Sequence, residues 1–306
     1  MLDLGRLRLL HELHARGTIA AVAEALQFTP SAVSQQLSVL EGEASVALLE
    51  RAGRGVRLTD AALVLVGHAD ALLDRSERAE SELAAATGAI AGRGRIASFQ
   101  SVAFHVGIPA MRALAEEAPD LRTELVEAEP EESLPALELG DYDLVLADEW
   151  QHQPRPRRTR LVREDLGRDE VRVVLPEGHR LAGRRRAVEL AELAGEAWVT
   201  GHPGTGWDEV TERTCREVGG FDPDIRHRSN DSVMCLRLVA AERAVCFLPD
   251  LVQPGEHPEV TVRSIAETSL HRTIFMATRA TDAERPSVRA LAAAVRSAAS
   301  DYGLRA

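Results

Sequence analysis

The chain has 306 residues, 45% of them hydrophobic and 27% charged, which suits about two domains with buried cores. Its net charge of −12 argues against a monomer held to nucleic acid by bulk charge, because phosphate neutralisation drives such affinity. No stretch approaches the ~20 apolar residues that cross a bilayer, and charges break up the N-terminal residues, so neither a membrane span nor a signal peptide is expected and the chain is read as cytoplasmic.

Residues 3–16 read as a helix with Leu7, Leu9, Leu10 and Leu13 facing inward. Within it His11-Glu12-Leu13-His14 is one residue short of the zinc motif H-E-x-x-H, so packing or surface roles are expected there and no metal site. Thr18 is a good N-cap, and Ile19, Val22 and Leu26 follow at helical spacing. Gln27-Phe28 interrupts the pattern, and Thr29-Pro30 restarts it with a capping hydroxyl and a proline at the first helical position. In this next helix Val33, Leu37 and Leu40 point one way, while Ser31, Ser34, Gln35 and Ser38 point the other. Two short helices joined by a tight turn have the layout of a helix-turn-helix.

The polar face suits base reading, because Gln can pair with adenine and Ser with several base edges. An ordinary solvated face would carry Glu, Lys or Arg in its middle, and this one carries none. Downstream, Arg51, Arg54 and Arg57 cluster around Gly53 and Gly55 before a short β-like run, as in a wing that brings arginines to phosphates or the minor groove. The candidate DNA contacts are therefore Thr29, Pro30, Ser31, Ser34, Gln35, Ser38, Arg51, Arg54 and Arg57, with double-stranded DNA as partner. Residues 1–60 hold six arginines against seven acids, a net of −1. Binding would then rest on local placement and on several copies of the domain.

The run Thr-Pro-Ser-Ala-Val-Ser-Gln-Gln-Leu, followed by Leu-Leu-Glu-Arg and Arg-Gly-Val-Arg-Leu-Thr, resembles the LysR-type transcriptional regulators. The match is specific in residues 1–60. It departs where Asp60-Ala61-Ala62 stands in place of a common glycine and Leu49-Glu50 in place of a common phenylalanine. Neither departure touches the reading face.

Residues 60–87 read as one long helix without proline. Leu65, Ala69, Leu72, Ser76, Ala79, Leu83 and Ala86 alternate at spacings of four and three, a narrow heptad seam. The resemblance implies a dimerising linker, with Leu65, Ala69, Leu72, Ala79 and Leu83 at the interface of a homodimer or homotetramer. Gly88, Gly92 and Gly94 end the helix.

From residue 95 strands alternate with helices. Strands are expected at 96–99, 121–127, 143–147, 170–175, 197–200, 224–229, 244–248, 259–264 and 273–278. Helices are expected at 104–117, 131–139, 188–194, 206–218, 231–242 and 284–300, with a crossover at 154–163. This alternation implies open, mostly parallel sheets in an α/β fold. It resembles the effector-binding half of the same family, similar in fold to periplasmic solute-binding proteins, and VVLPEGHRLA and ERAVCFLPDLV echo family segments. The expected organisation is a winged helix-turn-helix at 1–59, a linker helix at 60–90 and a two-subdomain α/β effector-binding domain at 91–306. Subdomain I would take about 94–161 and 266–306, and subdomain II about 162–265.

No enzyme or cofactor motif is present: no G-x-S-x-G, no Walker A and no dinucleotide fingerprint. Ligands of open α/β sheets bind beyond the carboxyl ends of strands. Those ends offer Ser98, Phe99, Gln100 and Ser101; Asp148; Thr200, Gly201 and His202; Ser229 and Asn230; and Phe247. Each could equally cap a helix or form a turn. Strand-end hydroxyls and helix-start N–H groups favour an organic anion, and Asp148 adds a place for a positive or hydroxylated part, as in an amino acid. Arg155, Arg157, Arg158, Arg160 and Arg184 to Arg186 read as solvated surface. Cys215, Cys235 and Cys246 form no C-x-x-C pair and read as buried small hydrophobes, with an oxidant-sensing role as the alternative. The resulting reading is a DNA-binding regulator controlled by a small molecule, not an enzyme. A small-molecule-binding protein without DNA-reading function is the rival, and the wing arginines and uncharged helix face speak against it.

Overall fold

The computed structural model describes residues 1–305 other than Arg54, Ala89, His152, Arg184 and Arg185, and gives the backbone alone at Glu77, Arg78, Ser81, Ala84, Ala85 and Thr87. The chain divides into two compact units, residues 1–87 and 88–306. No helix among the described residues is long and apolar enough to cross a membrane.

The first unit opens with α1 (Leu4–Arg16), α2 (Ile19–Ala25) and α3 (Pro30–Ala44). Each begins on a side-chain cap: Asp3, Thr18 and Thr29 accept from Arg6, Ala21 and Ala32 N–H respectively, satisfying donors that a helix start leaves free. Gln27 at φ 58 makes the turn between α2 and α3. The strands β1 (Leu49–Ala52) and β2 (Gly55–Leu58) form an antiparallel hairpin. Glu41 near the end of α3 holds it in place by accepting from Leu48 N–H (2.8 Å) and Leu49 N–H (2.9 Å). Leu7, Leu10, Val22, Val33, Leu37, Leu40 and Leu48 fill one core.

The long helix α4 (Asp60–Thr87) has 28 residues, a length of about 40 Å. Its first turns belong to the core of the first unit: Ala62, Val66 and Ala69 are buried in it and Leu65 packs against it. The expected dimer seam is thus partly taken up by the first unit's own core. Ala69 is fully covered by its own chain and Leu65 partly so, because the four-three spacing that reads as a dimer seam also faces α1. His11 of α1 pairs with Asp70 of α4 at 2.8 Å, and buried Glu12 pairs with Arg16 at 2.6 Å, which accounts for the His-Glu-Leu-His segment. Leu72, Ala79 and Leu83 remain exposed, Leu83 at 70%.

The second unit is built on a seven-stranded mixed sheet in the order β10-β6-β11-β5-β3-β4, with β9 on β6. The strands are β3 (Gly92–Ser98), β4 (Leu121–Glu127), β5 (Leu144–Trp150), β6 (Leu161–Pro176), β9 (Cys246–Pro249), β10 (Val260–Arg263) and β11 (Leu270–Arg279). Only β3 with β4 and β3 with β5 pair in parallel within it. The expectation of mostly parallel sheets fails because the 154–163 crossover ends early, and β6 then runs 16 residues antiparallel to β11, β9 and β10. A separate parallel pair joins β7 (Ala197–Thr200) to β8 (Asp224–Arg228).

Two lobes form along the β6–β11 ribbon, each with its own core. In the first, α6 (Ile108–Glu117) and α10 (Pro286–Tyr302) pack on one sheet face and α7 (Pro130–Glu138) on the other. A three-residue helix α5 (Gln100–Val102) and a π-helical stretch lead into α6; the expected 104–117 helix is this composite. In the second lobe α8 (Gly206–Glu217) and α9 (Ser232–Glu242) cover the strands. The lobes interlock, since Trp150 at the end of β5 packs into the second core and Leu251 after β9 into the first.

The ribbon carries a bulge where Ile274 faces Gly167 and Phe275 faces Asp165. Gly167 has φ 154 and lies under the C-terminal tail, where an added Cβ would stand 2.5 Å from Arg305 N and 2.8 Å from Leu304 C. Gly167→Ala is expected to destabilise the unit by on the order of 2 kcal/mol. In a chain ending at Gly303 the same substitution should lose the part of that penalty that comes from the clash with the tail and keep the part that comes from φ 154. Urea unfolding of the four proteins measures both values.

Candidate functional site

On the first unit, Thr29, Pro30, Ser31, Ser34, Gln35 and Ser38 are all exposed, while Val33, Leu37 and Leu40 of the same helix are buried. The alternation follows from helical periodicity against one core. Thr29 Oγ1 and Ser31 Oγ lie 3.0 Å apart, so the first turn of α3 presents a short hydroxyl cluster. In the hairpin Arg51 and Arg57 are exposed. Arg57 is ion-paired with Glu50, its cross-strand partner, which reduces the charge it offers to a phosphate. Arg54 lies outside the described residues.

In the second unit a cleft opens between the lobes, and it contains five of the eleven residues expected for the effector: Phe99, Gln100, Ser101, Asp148 and Asn230. The other six are engaged inside the protein. Ser98 is buried and donates to Phe99 O. Thr200, fully buried, donates to Thr211 Oγ1 at 3.0 Å. Gly201 accepts from Arg228 through its carbonyl. His202 donates its N–H to Asn230 Oδ1 at 2.9 Å and leaves its ring exposed. Ser229 accepts from Asp231 N–H in a local turn. Phe247 is buried against Trp198 in the second core. These residues cap and brace the strand ends, which is what hydroxyl, Gly and Asn groups do at turns.

The cleft's dominant feature is a buried arginine that the sequence reading missed. The register sets Arg272 of β11 opposite Asp169 of β6 and Trp150 of β5. Arg272 donates to Asp169 Oδ2 (2.7 Å), to Asp148 Oδ2 (3.2 Å) and to Ser101 Oγ (2.8 Å). Its guanidinium also lies 4.9 Å from the Phe99 ring centroid and 5.5 Å from that of Trp150. The sequence signal was an arginine inside an apolar strand, which needs buried acids to stay inside. Placing the strand at 273–278 left it out. Arg155 is also corrected: it is not solvated but pairs with Asp148 (3.1 Å) and Glu131 (3.0 Å). Arg158 pairs with Glu138, Arg186 pairs with Glu189, Arg157 is exposed as expected, and Arg184 and Arg185 lie outside the described residues.

Two further features shape the cleft. Gln100 Oε1, from the first lobe, accepts from the N–H (3.0 Å) and the hydroxyl of Ser232 at the start of α9 in the second. Gly206 at the start of α8 sits so close to Trp150 that a Cβ there would meet its indole at 2.6 Å. Glu129, immediately before α7, also lines the cleft. Burial pushes its carboxyl up to about 7, and nearby Asp148 and Glu131 push the same way. The cysteines are all buried. Burial raises the Cys215 and Cys235 thiols to about 12 and Cys246 well above the ordinary thiol range, so their surroundings suppress rather than favour the reactive thiolate.

A helix-turn-helix head joined to a two-lobed ligand-binding domain defines a ligand-responsive DNA-binding regulator. The chain belongs to the LysR family of transcriptional regulators: residues 4–63 match the bacterial regulatory helix-turn-helix protein, lysR family, and residues 87–300 match the LysR substrate binding domain. It is similar to the probable HTH-type transcriptional regulator LrrA of Synechococcus elongatus, with 26% identity over 289 residues covering 94% of each chain. In fold it is similar to a full-length OxyR variant from Pseudomonas aeruginosa, with a TM-score of 0.67 at 18% identity over 97% of this chain and 95% of that one. It is also similar to full-length CbnR, solved with its target DNA, with a TM-score of 0.54 at 21% identity over 97% of this chain and 100% of that one. The chain is thus a transcriptional regulator, not an enzyme.

A carboxyl raised to about 7 in the fold binds protons that the unfolded chain, near 4.5, has already lost. Stability therefore falls as pH rises between those values and stays reduced above them. Glu129→Gln should stabilise the protein by on the order of 2 kcal/mol at about pH 8 and hardly at all at about pH 4. Calorimetric Tm values across that range check the sign and the window.

Proposed function

We propose that the regulator reads DNA through Ser31, Ser34 and Gln35, with the hairpin arginines on the phosphate backbone, in a homodimer or tetramer joined along the outer part of α4. Residues 1–59, 60–90 and 91–306 would act as head, linker and sensor, with an effector held between the lobes of the sensor. The observation that carries this reading is the uncharged, fully exposed polar face of α3 beside an arginine-bearing hairpin. A Gln at such a position can make two hydrogen bonds with one adenine, accepting from N6 and donating to N7. The exposed Leu72 and Leu83 beyond the core of the first unit support pairing through the distal half of the linker, since a long thin helix gains little from its own contacts.

An organic anion or an amino acid would meet Ser101 and the hydroxyl and N–H of Ser232 at the start of α9, which line the cleft. The Gln100–Ser232 contact supports control by lobe movement. A ligand that replaces or adds to this bond binds one lobe arrangement better than another, and that difference is what shifts an equilibrium between arrangements.

Gln35→Ala should relax preference at one base position, at a cost of about 1–3 kcal/mol there, whereas Arg51→Ala should weaken all sequences alike and flatten the salt dependence. Binding to a randomised site library, sequenced at two salt concentrations, tests both; an unchanged profile for Gln35→Ala would assign base reading to another face. Leu72→Arg combined with Leu83→Arg should place unpaired charges in the linker interface and lower the assembly mass. Light scattering that finds the mass unchanged would remove α4 from the interface.

A further inference from the structure

Resting on the effector-cleft reading, the geometry points to an effector that carries a protonated amine, received by the Glu129 carboxylate among aromatic walls, and not to a simple carboxylic acid.

An effector carboxylate would need an arginine with donors to spare, and neither cleft arginine is unpaired. Arg272 is directed at Asp169, Asp148 and Ser101. Arg155 is directed at Glu131 and at both the carboxylate and the carbonyl of Asp148. Asp148 is thereby shared by two guanidiniums. Around this pair of cations stand four carboxyl groups: Glu129 and Glu131 by α7, Asp148 from β5 and Asp169 from β6. A further anion would add repulsion where burial already amplifies it.

Glu129 lines the cavity and differs from the other three because, among the described residues, no ion pair or side-chain hydrogen bond engages its carboxylate. The groups that act on it are Asp148 of β5, Glu131 of its own segment and Glu127 at the end of β4, which raise its pKa, and Arg272 of β11, which lowers it. A ligand cation would relieve that imbalance. The walls suit the same ligand independently. Phe99 and Trp150 already hold the Arg272 guanidinium near their faces, and Trp207 adds an indole from the second lobe, the surroundings in which ammonium groups are bound. Opposite, the two Ser232 donors now held by Gln100 Oε1 would take an acceptor oxygen of the ligand. The cavity is about 50 Å³, well under the ~150 Å³ that admits benzene, so the ligand is small, on the scale of an amino alcohol, and enters only as the lobes move apart.

The test uses the full chain and two matched probe series at millimolar concentration. One series is ethanolamine, 2-amino-1-propanol, isopropylamine and 1,4-diaminobutane; the other is acetate, lactate and succinate. Thermal shift and titration calorimetry are run at about pH 8 and about pH 6, either side of the Glu129 transition. The expected result is binding by a member of the amine series, weaker at the lower pH, where Glu129 is protonated. Glu129→Gln should reduce that affinity roughly ten- to a hundredfold, the scale of a lost charged hydrogen bond, and Glu129→Asp should retain most of it. Binding by the acids and not the amines, or amine binding indifferent to Glu129→Gln, overturns the amine proposal and leaves the cleft as the effector site. Absence of amine binding at both pH values also overturns it. Binding by either series that survives a plugged cleft, Ser101→Trp, overturns the cleft reading itself.

Discussion

The ion pair between Arg272 and the two aspartates organises the sensor. Asp148, Asp169 and Arg272 come from three adjacent strands, β5, β6 and β11, and all are buried. A guanidinium out of water is tolerated only when its donors are met by acceptors in good geometry. Here Asp169 meets it twice and Asp148 and Ser101 once each. Asp169 also accepts from Leu251 N–H at 3.0 Å, so the same carboxylate fixes the segment that leaves β9. The pair lies on the ribbon that runs through both lobes, where the strands must keep one register for either lobe to pack.

The cleft inherits its character from that arrangement. Its positive charges serve internal carboxylates, while Gln100 and Ser232 bond each other across it and Glu129 lines it. Its shape depends on close approach: Gly206 lets α8 start against Trp150, and Trp150 carries the first lobe's strand into the second lobe's core. The packing that joins the lobes and the chemistry of the cleft therefore share residues. A ligand that altered the Gln100–Ser232 bond would act on a contact between lobes already held by packing, so small differences in affinity between arrangements suffice to bias them.

The head obeys simpler rules. Its three helices start on Asp3, Thr18 and Thr29, each accepting from a backbone N–H three residues on, and a single apolar core covers one side of each. Such local terms lie within a few residues of one another, so periodicity and capping chemistry reveal them directly. The exposed polar face of α3 was legible for this reason: with Val33, Leu37 and Leu40 committed to the core, Ser31, Ser34, Gln35 and Ser38 have only the outside left. The linker was legible as a helix but not in its partners. The spacing that marks a coiled-coil seam also serves packing on α1, and only the fold shows that Ala69 is spent on the latter.

In the sensor, the strands, the helices and the two-lobed plan could be read from alternation and turn residues, and Phe99, Gln100, Ser101, Asp148 and Asn230 from their places at strand ends. The sheet's mixed sense could not, because the direction of a strand depends on which distant strand it pairs with. Nor could the direction of a strand-end side chain: Thr200 turns in to Thr211 while Asn230, at the neighbouring strand end, reaches the cleft. Arg155 looks like a surface charge in a one-dimensional reading and Arg272 falls outside the expected 273–278 strand; the acids that hold Arg155 are 7 and 24 residues away and those that hold Arg272 are 103 and 124 residues away. By itself the sequence determined what short-range forces decide: the helices, their caps, the exposed polar face of α3 and the family to which those motifs belong. The tertiary structure alone decided which charges are buried, which carboxylates are paired in the cleft and which hydroxyls face it, because those outcomes depend on register and burial between segments far apart in the chain.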